Sequence, residues 1–371
     1  MKPKFDYTAA TRRFSFHHPL LSAVITQIIF WCVSFTVLGI ITQLTFKGVS
    51  SMFSFAAESK FTPVLIISLI MGLFYGSMLG ITDFFILRKW SMGKSLGRQI
   101  LVNMLVYFIS MNILFAFVYA FWQVILLPSY FHTNFKLDDN LWRYYFYVIA
   151  VFTLFMNTFI SFIIQINKKF GPGVLLPFIL GKYTNPQIEE RAFIFLDLKS
   201  STTHAEKLGH KKYSQLIRDC FLDINHVSTK YNAEIYQYVG DEMVLSWLAN
   251  ENLNIRECFD FYFDCQHAFE NRTSYYQNEY GLVPEFKAGL HIGIVTCVEV
   301  GDVKREIAYH GDTLNVTSRI QAKCNENNAG IIFTSSVKDK INAIPYAFEE
   351  IGHVFLKGKM KPVFIYKIKD S

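Results

Sequence analysis

The chain has 371 residues, 51% of them hydrophobic, and a formal net charge of +6. That charge is unevenly placed: residues 1–169 hold 14 Lys or Arg against 5 Asp or Glu, and residues 170–371 hold 22 against 25. The first part is therefore +9 and the second −3, so the basic balance says nothing of a nucleic-acid surface on the second part, and DNA or RNA is excluded as a favoured partner.

The first part contains four charge-free stretches, Leu20 to Phe46, Phe61 to Thr82, Gln99 to Phe135 and Tyr144 to Asn167. A bilayer core about 30 Å thick needs roughly 20 apolar residues in a helix, and each stretch supplies them. The expectation is four transmembrane helices over about 20–46, 61–87, 100–127 and 144–167. The first is longer than a signal-peptide core, and no small-residue cleavage pattern follows it.

Lys2, Lys4, Arg12 and Arg13 precede the first span. Arg88, Lys89, Lys94 and Arg98 lie between the second and third, and Lys168 and Lys169 follow the fourth. The other two loops carry only Lys47, Lys60, Lys136 and Arg143. The positive-inside rule then places both termini, and everything after the fourth span, in the cytoplasm, with the chain in the cell (inner) membrane. Six cysteines without a C-x-x-C pair or a His cluster read as reduced structural thiols.

Gly171, Pro172, Gly173, Pro177 and Gly181 interrupt the next segment around the apolar run Val174 to Leu180, which marks 170–190 as a linker. It reads equally as a coupling segment and as a hydrophobic strap. From Arg191 short strands alternate with long helices. Phe193–Leu198 is expected as a buried strand, with Ser201 or Thr202 capping a helix to about Lys230. Glu234–Val239 and Met243–Trp247 form a hairpin turning at Gly240-Asp241. A helix from about Asn254 to Tyr280 and a strand from Phe286 to Val295 follow. This βαββαβ order predicts an α+β ferredoxin-like sandwich over 191–371. Beyond it come a strand near Glu306–Tyr309, a helix over Thr313–Cys324, and a strand pair near His353–Leu356 and Val363–Ile368.

That topology sets Asp197 at a strand end and Asp241 at the tip of the neighbouring hairpin, so both can face one site and present oxygen ligands to hard cations. A strand-end Asp is equally a turn former or a cap. The segment Tyr309-His-Gly-Asp-Thr-Leu-Asn-Val-Thr-Ser-Arg319 adds Asn315 and Arg319 at i, i+4, an amide suited to a sugar and a guanidinium suited to a phosphate. Tyr309 and His310 either line a base pocket or pack the strand end.

Four elements in order, F-x-D-L-x-x-S-T at Asp197, V-G-D-E at Asp241, G-D-T-L-N-x-x-x-R ending at Arg319 and L-K-G-K at Leu356 to Lys359, resemble class III nucleotidyl cyclases. The resemblance covers about 186–370. It implies conversion of ATP to 3′,5′-cyclic AMP and pyrophosphate, or of GTP to cyclic GMP. It also implies two Mg²⁺ or Mn²⁺ ions per site, held by Asp197, Asp241 and the Leu198 carbonyl. Asn315 would hold the ribose and Arg319 the α-phosphate. The amides from Lys199 through Ser200, Ser201 and Thr202, the Gly240 turn, and Lys357 or Lys359 would attend the phosphates. In this family the metal aspartates and the Asn and Arg come from opposite subunits, which implies a homodimer.

Many adenylate cyclases carry Lys four residues before the second metal Asp, and Asp, Thr or Ser seven before the Asn. Here those positions are Gln237 and Ala308, and neither is the Glu and Cys pair typical of guanylate cyclases. An amide can donate or accept, whereas Ala does neither, so this pair does not choose the purine. ATP is favoured, with GTP retained, because the family it resembles is most often an adenylate cyclase in membrane-bound bacterial-type architectures. Val239-Gly-Asp-Glu-Met243 also resembles the diguanylate cyclase signature, though the first Gly is missing. A non-catalytic nucleotide-binding receptor is the remaining alternative.

Overall fold

The structure, a computed structural model, describes residues 11, 14–15, 17–52, 61–87, 95–121, 139–171, 173–249, 253–341 and 345–369. The chain separates into two compact units, Met1–Leu176 and Pro177–Ser371.

In the first unit the charge-free stretches are helical: α1 (Pro19–Met52), α2 (Phe61–Thr82, continued by a π turn over Asp83–Leu87), α3 (Leu96–Phe121) and α4 (Asp139–Phe170). All four are long and apolar enough to cross a membrane. Residues 122–127 of the expected third span lie outside the described residues, as do the flanking cations Lys2, Lys4, Arg12, Arg13, Lys60, Arg88, Lys89, Lys94 and Lys136. Gly72, Gly76 and Gly80 recur every turn of α2. A Cβ added there would stand 2.4 to 2.5 Å from the α1 backbone at Cys32, Ile28 and Val24. Only small residues let two helices approach this closely.

The second unit follows a short helix, α5 (Leu175–Ile179), formed by the apolar run after the glycines. Its elements are β1 (Gln187–Leu198), α6 (Ser201–Lys230), β2 (Glu234–Val239), β3 (Glu242–Leu248), α7 (Arg256–Asn271), α8 (Thr273–Tyr280) and β4 (Phe286–Val300). Then come β5 (Glu306–His310), α9 (Asp312–Ala322), β6 (Ile331–Thr334), α10 (Ser335–Lys338), β7 (Phe348–Val354) and β8 (Val363–Ile368). The sheet runs β2-β3-β1-β4-β6-β8-β7, with β5 paired to β4. Its first four strands have the ferredoxin-like order, with β1 central and antiparallel to both β3 and β4.

Several expected boundaries move. β1 begins at Gln187, inside the expected linker, because its residues 187–192 pair with β4 as far as Cys297. The expected helix 254–280 breaks at Arg272, whose φ of −109° is non-helical. The late strand is Phe348–Val354 rather than His353–Leu356, and the short pair β6 and α10 was not anticipated. Ser200, not Ser201 or Thr202, stands at the α6 N-cap, with φ 58° and no side-chain capping bond. Within α6, Gly209 at φ 70° and ψ 164° breaks the helix; L side chains rarely adopt this conformation.

Strand alternation sorts β1 onto two faces. Ala192, Ile194, Leu196 and Leu198 join the main core with Leu216, Cys220 and Ile224 of α6 and Phe259 and Phe261 of α7. Phe193 and Phe195 point the other way, with Val244, Val295 and Tyr309. Asp197 continues this second face. Here α9 lies on β4: a Cβ on Gly289 would stand 2.7 Å from both Gln321 N and Thr317 O, and one on Gly293 2.5 Å from Thr313 Oγ1. Glycine at these two places sets how closely α9 seats on the sheet.

Candidate active site

Strand register lines up three ionisable side chains across the second face. Asp197 on β1 is the cross-strand partner of Glu242 on β3 and of Lys287 on β4. Directly opposed side chains on one face interact, so the row alternates acid, acid, base. Lys287 Nζ lies 3.1 Å from Asp197 Oδ2, and Gln321 Nε2 of α9 donates to the same oxygen at 3.1 Å. Asp241 precedes Glu242 in the hairpin, after Gly240 at φ 63°, a left-handed turn position.

Burial, reinforced by the neighbouring Asp197 and Asp241 charges, pushes the Glu242 carboxyl up to about 7. Lys287 offsets only part of that negative field. Three carboxylates crowded against one ammonium make a place where a divalent cation is favoured. The oxygen-rich donor set suits Mg²⁺ or Mn²⁺. Asp197 and Asp241 both bring their charge to Glu242, and Leu198, paired with Phe286 in the sheet, follows Asp197 in the chain. Among the described residues no group of three or more His, Cys, Asp or Glu is already arranged as a metal cage, so a nucleotide or water would have to complete the coordination.

Lys199 departs from expectation. Its amide donates to the Glu285 carbonyl at 2.8 Å and its ammonium pairs with the Glu285 carboxylate at 2.8 Å, so that amide is already spent. The amides of Ser201, Thr202 and Thr203 still open the first turn of α6, where the helix dipole favours an anion. Tyr213 lies against Ser201 and Asp241; burial, then the Asp241 charge, raises its phenol.

Asn315 and Arg319 belong to a different surface. Gln321, which touches Asp197, is buried with Thr317 and Thr313 on the face of α9 seated on β4, whereas Asn315 is exposed and Arg319 half-buried. At 3.6 residues per turn Arg319 lies about 200° around the helix from Gln321. Beside Arg319 runs the Leu356–Lys359 turn: a Cβ on Gly358 would be 3.7 Å from its Nη2. Lys359 pairs with Asp312 at the start of α9, and Lys357 is exposed. The structure thus forms two groups, Asp197, Asp241 and Ser201 in one and Asn315, Arg319 and Lys359 in the other, and α9 turns them apart.

Gln237 is exposed on edge strand β2 beside a bulge, and Ala308 is half-buried opposite Val298. Tyr309 takes the packing role: it meets Phe193 edge-on at 5.5 Å, its amide donates to Tyr236 Oη at 3.2 Å, and the Arg191 guanidinium lies 4.9 Å from its ring centre. Glu242, Lys287, Gln321 and Tyr213 were missed from sequence. The first was hidden inside the V-G-D-E turn, and the signal for Lys287 was its register opposite Asp197.

A family sequence profile described as "Adenylate and Guanylate cyclase catalytic domain" matches residues 184–370. "Adenylate cyclase 2" of Rhizobium meliloti (strain 1021) is 29% identical over 214 residues, 57% of this chain and 58% of that protein, so the chain matches little more than half the relative's length. A bacterial light-regulated adenylyl cyclase structure aligns with a TM-score of 0.52 at 20% identity, covering 60% of this chain and 65% of that one, a likeness of fold. The adenylyl cyclase CyaB from P. aeruginosa aligns at 0.45 and 18% identity, over 50% of this chain and 97% of that one.

Proposed function

Because the chain belongs to the adenylate and guanylate cyclase catalytic-domain family, we propose that it is a membrane-tethered adenylate cyclase, converting ATP to 3′,5′-cyclic AMP and pyrophosphate at a homodimer interface. Residues 1–169 would anchor it in the cell membrane, 170–190 would connect, and the catalytic unit would face the cytoplasm. The observation that carries the reading is the division of the site by α9: one subunit offers a carboxylate pair and a helix N-terminus, and the ribose and phosphate groups point elsewhere. Two copies related by a two-fold axis would bring each half to the other, giving two equivalent sites and inactive monomers.

Divalent cations held by Asp197, Asp241 and the Leu198 carbonyl would supply Lewis-acid activation of the ribose 3′-hydroxyl and neutralise the triphosphate. The remaining work falls to the chain. The partner's copy of Asn315 orients the ribose so that its 3′-oxygen lies in line with the α-phosphorus. Arg319, a fixed planar fork, stabilises the charge gathered on the α-phosphoryl oxygens. The first-turn amides of α6 hold the outgoing pyrophosphate, and Lys287, 3.1 Å from Asp197 Oδ2, holds that carboxylate in place beside them. The 3′-hydroxyl gives up its proton to water as the new O–P bond forms and the bond to pyrophosphate breaks, so no protein nucleophile is required.

Gln237 and Ala308 keep guanylate cyclase as the second reading, because an exposed amide can serve either purine edge. The test is incubation of the purified full chain in vesicles with Mn²⁺ and either ATP or GTP, with identification of the product. Cyclic AMP is expected; cyclic GMP alone establishes the second reading, and cyclic di-GMP overturns both. Mixing inactive Asp197→Asn and Arg319→Ala chains tests the shared site, since random pairing restores about a quarter of wild-type turnover.

A further inference from the structure

The apolar run after the fourth span closes into a single capped turn. The Lys182 amide donates to the Pro177 carbonyl at 2.9 Å and the Gly181 amide to the Phe178 carbonyl at 3.1 Å, with Gly181 at φ 74°. Together these are the Schellman pattern, in which a left-handed glycine satisfies the last carbonyls of a helix. The turn therefore holds its own backbone, and its side chains have fixed directions. Leu176, Ile179 and Leu180 stand at i, i+3 and i+4, within roughly 100° of arc. They are 45%, 68% and 75% exposed, whereas Pro177 on the adjoining side is buried. Just beyond, Tyr183 is buried and its carbonyl accepts from the Glu299 amide at 2.8 Å, which ties the turn to the end of β4.

Aliphatic side chains held outward together on a capped turn form an interaction face. What lies next to that face is set by the chain. The apolar window of α4 runs from Arg143 to Lys168. Its 26 residues span about 39 Å, close to the thickness of a bilayer with its headgroups, so Lys168 stands at headgroup level. α4 ends at Phe170, and even fully extended chain from there to Leu176 covers only about 20 Å. Gly171 and Gly173, both at positive φ, bend that path and shorten it. Lys168 and Lys182 are exposed on either side of the turn, where ammonium groups suit phosphate headgroups and the aliphatic side chains between them suit the acyl boundary.

We infer that Leu176, Ile179 and Leu180 make a second membrane contact, separate from the four spans, in which the α5 turn lies in the headgroup–acyl boundary of the bilayer. That bilayer is present wherever the fourth span is, within a short length of chain, whereas a second copy of the protein would have to bring a matching apolar face. A turn this short would bind a membrane weakly by itself. Tethered to a span it is held at a high effective concentration, so a few aliphatic side chains suffice. The contact gives the apolar run a membrane role, and through Tyr183 and Glu299 it connects the bilayer surface to β4.

The test places an environment-sensitive nitrobenzoxadiazole probe on Ile179→Cys in the full chain, in phosphatidylcholine vesicles. Asn278→Cys, at an exposed position of α8, is the water-facing control, and the unsubstituted chain supplies the background from the native cysteines. Doxyl-labelled phosphatidylcholine should quench the Ile179 probe and iodide should not, with the reverse at Asn278. Adding Leu176→Ser and Leu180→Ser should raise the iodide-accessible fraction at Ile179 by about tenfold or more, since most of the apolar face is gone. The Asn278 probe should be unchanged by that pair, which shows that the second unit stays folded. An Ile179 probe as open to iodide as the control overturns the inference. So does a probe shielded from both quenchers, which would mean that protein covers the face, or one indifferent to the serine pair. No nucleotide enters these readouts, so their outcome is independent of the cyclase reading.

Discussion

In the second unit the buried carboxylates Asp219 and Asp223 are saturated: Asp219 accepts from Tyr275, Tyr280 and Arg218, and Asp223 from Tyr276 and Arg272. In the first unit Ser161, 1% exposed, meets no partner at its hydroxyl. Both interiors are aromatic-rich and closely packed, so packing does not separate them. The difference lies in what each polar group is for. A carboxylate bracing α6 against α8 must be paired within the fold, because removing its partners would leave a buried charge. A neutral hydroxyl facing other helices strands no charge when it is left unpaired, so it costs the fold less. The Asp197 row falls between the two, since its acids are only partly matched by Lys287.

The strongest way to break this comparison is at that row. Asp241→Asn should lower cyclic-nucleotide formation on the order of a thousandfold while leaving the unfolding temperature nearly unchanged, because the residue serves a cation rather than the fold. Loss of stability in step with activity would place Asp241 with the bracing carboxylates instead.

Next come the packing contrasts. Asp223→Leu should destabilise the second unit by about 3 kcal/mol in denaturant unfolding, since Tyr276 and the Arg272 charge lose their acceptor. Gly289→Ala should cost about 1–3 kcal/mol and reduce turnover, because a Cβ 2.7 Å from the α9 backbone must displace that helix and the Gln321 contact with Asp197.

A smaller effect concerns pH. Burial and the nearby Lys359 charge hold His291 down at about 4, while its Nδ1 lies 2.8 Å from Thr334 Oγ1. In the unfolded chain it returns to about 6.5, so between those values the unfolded state binds more protons. Stability therefore rises with pH through that window and is lost as pH falls from about 6.5 toward 4. His291→Gln should flatten this slope, by an amount on the order of 2 kcal/mol across it, in thermal melts at stepped pH. Smallest of all, Lys199→Ala should change activity by less than about twofold, because its half-exposed ion pair with Glu285 is worth little.

What the sequence made legible was whatever a local pattern can encode. The four spans, the hairpin at Gly240-Asp241 and the helix carrying Asn315 and Arg319 all lie within a few residues of expectation, since periodicity and turn chemistry are short-range. β6 escaped because Ile331–Thr334 is four residues long and buried throughout, with no alternation to read. Arg272 breaks a helix through no residue-type signal, as neither Gly nor Pro is involved. Lys287 and Gln321 reach Asp197 from 90 and 124 positions away, through strand register and helix seating, which no motif around Asp197 records. The inward placement of Thr153, Asn157, Ser161 and Gln165 was equally invisible, because the hydropathy of a span averages over the side on which each residue falls.

The interruption of α6 at Gly209 carries one more consequence. Peptide dipoles add along a helix only while their axes stay aligned. The field felt by an anion at Ser201–Thr203 is therefore generated by the short run ahead of Gly209, while the remaining five or so turns answer to the core through Leu216, Cys220 and Ile224. The anion-facing stub and the structural rod thus meet at a break in the backbone, and they act as two separate dipoles rather than one long one.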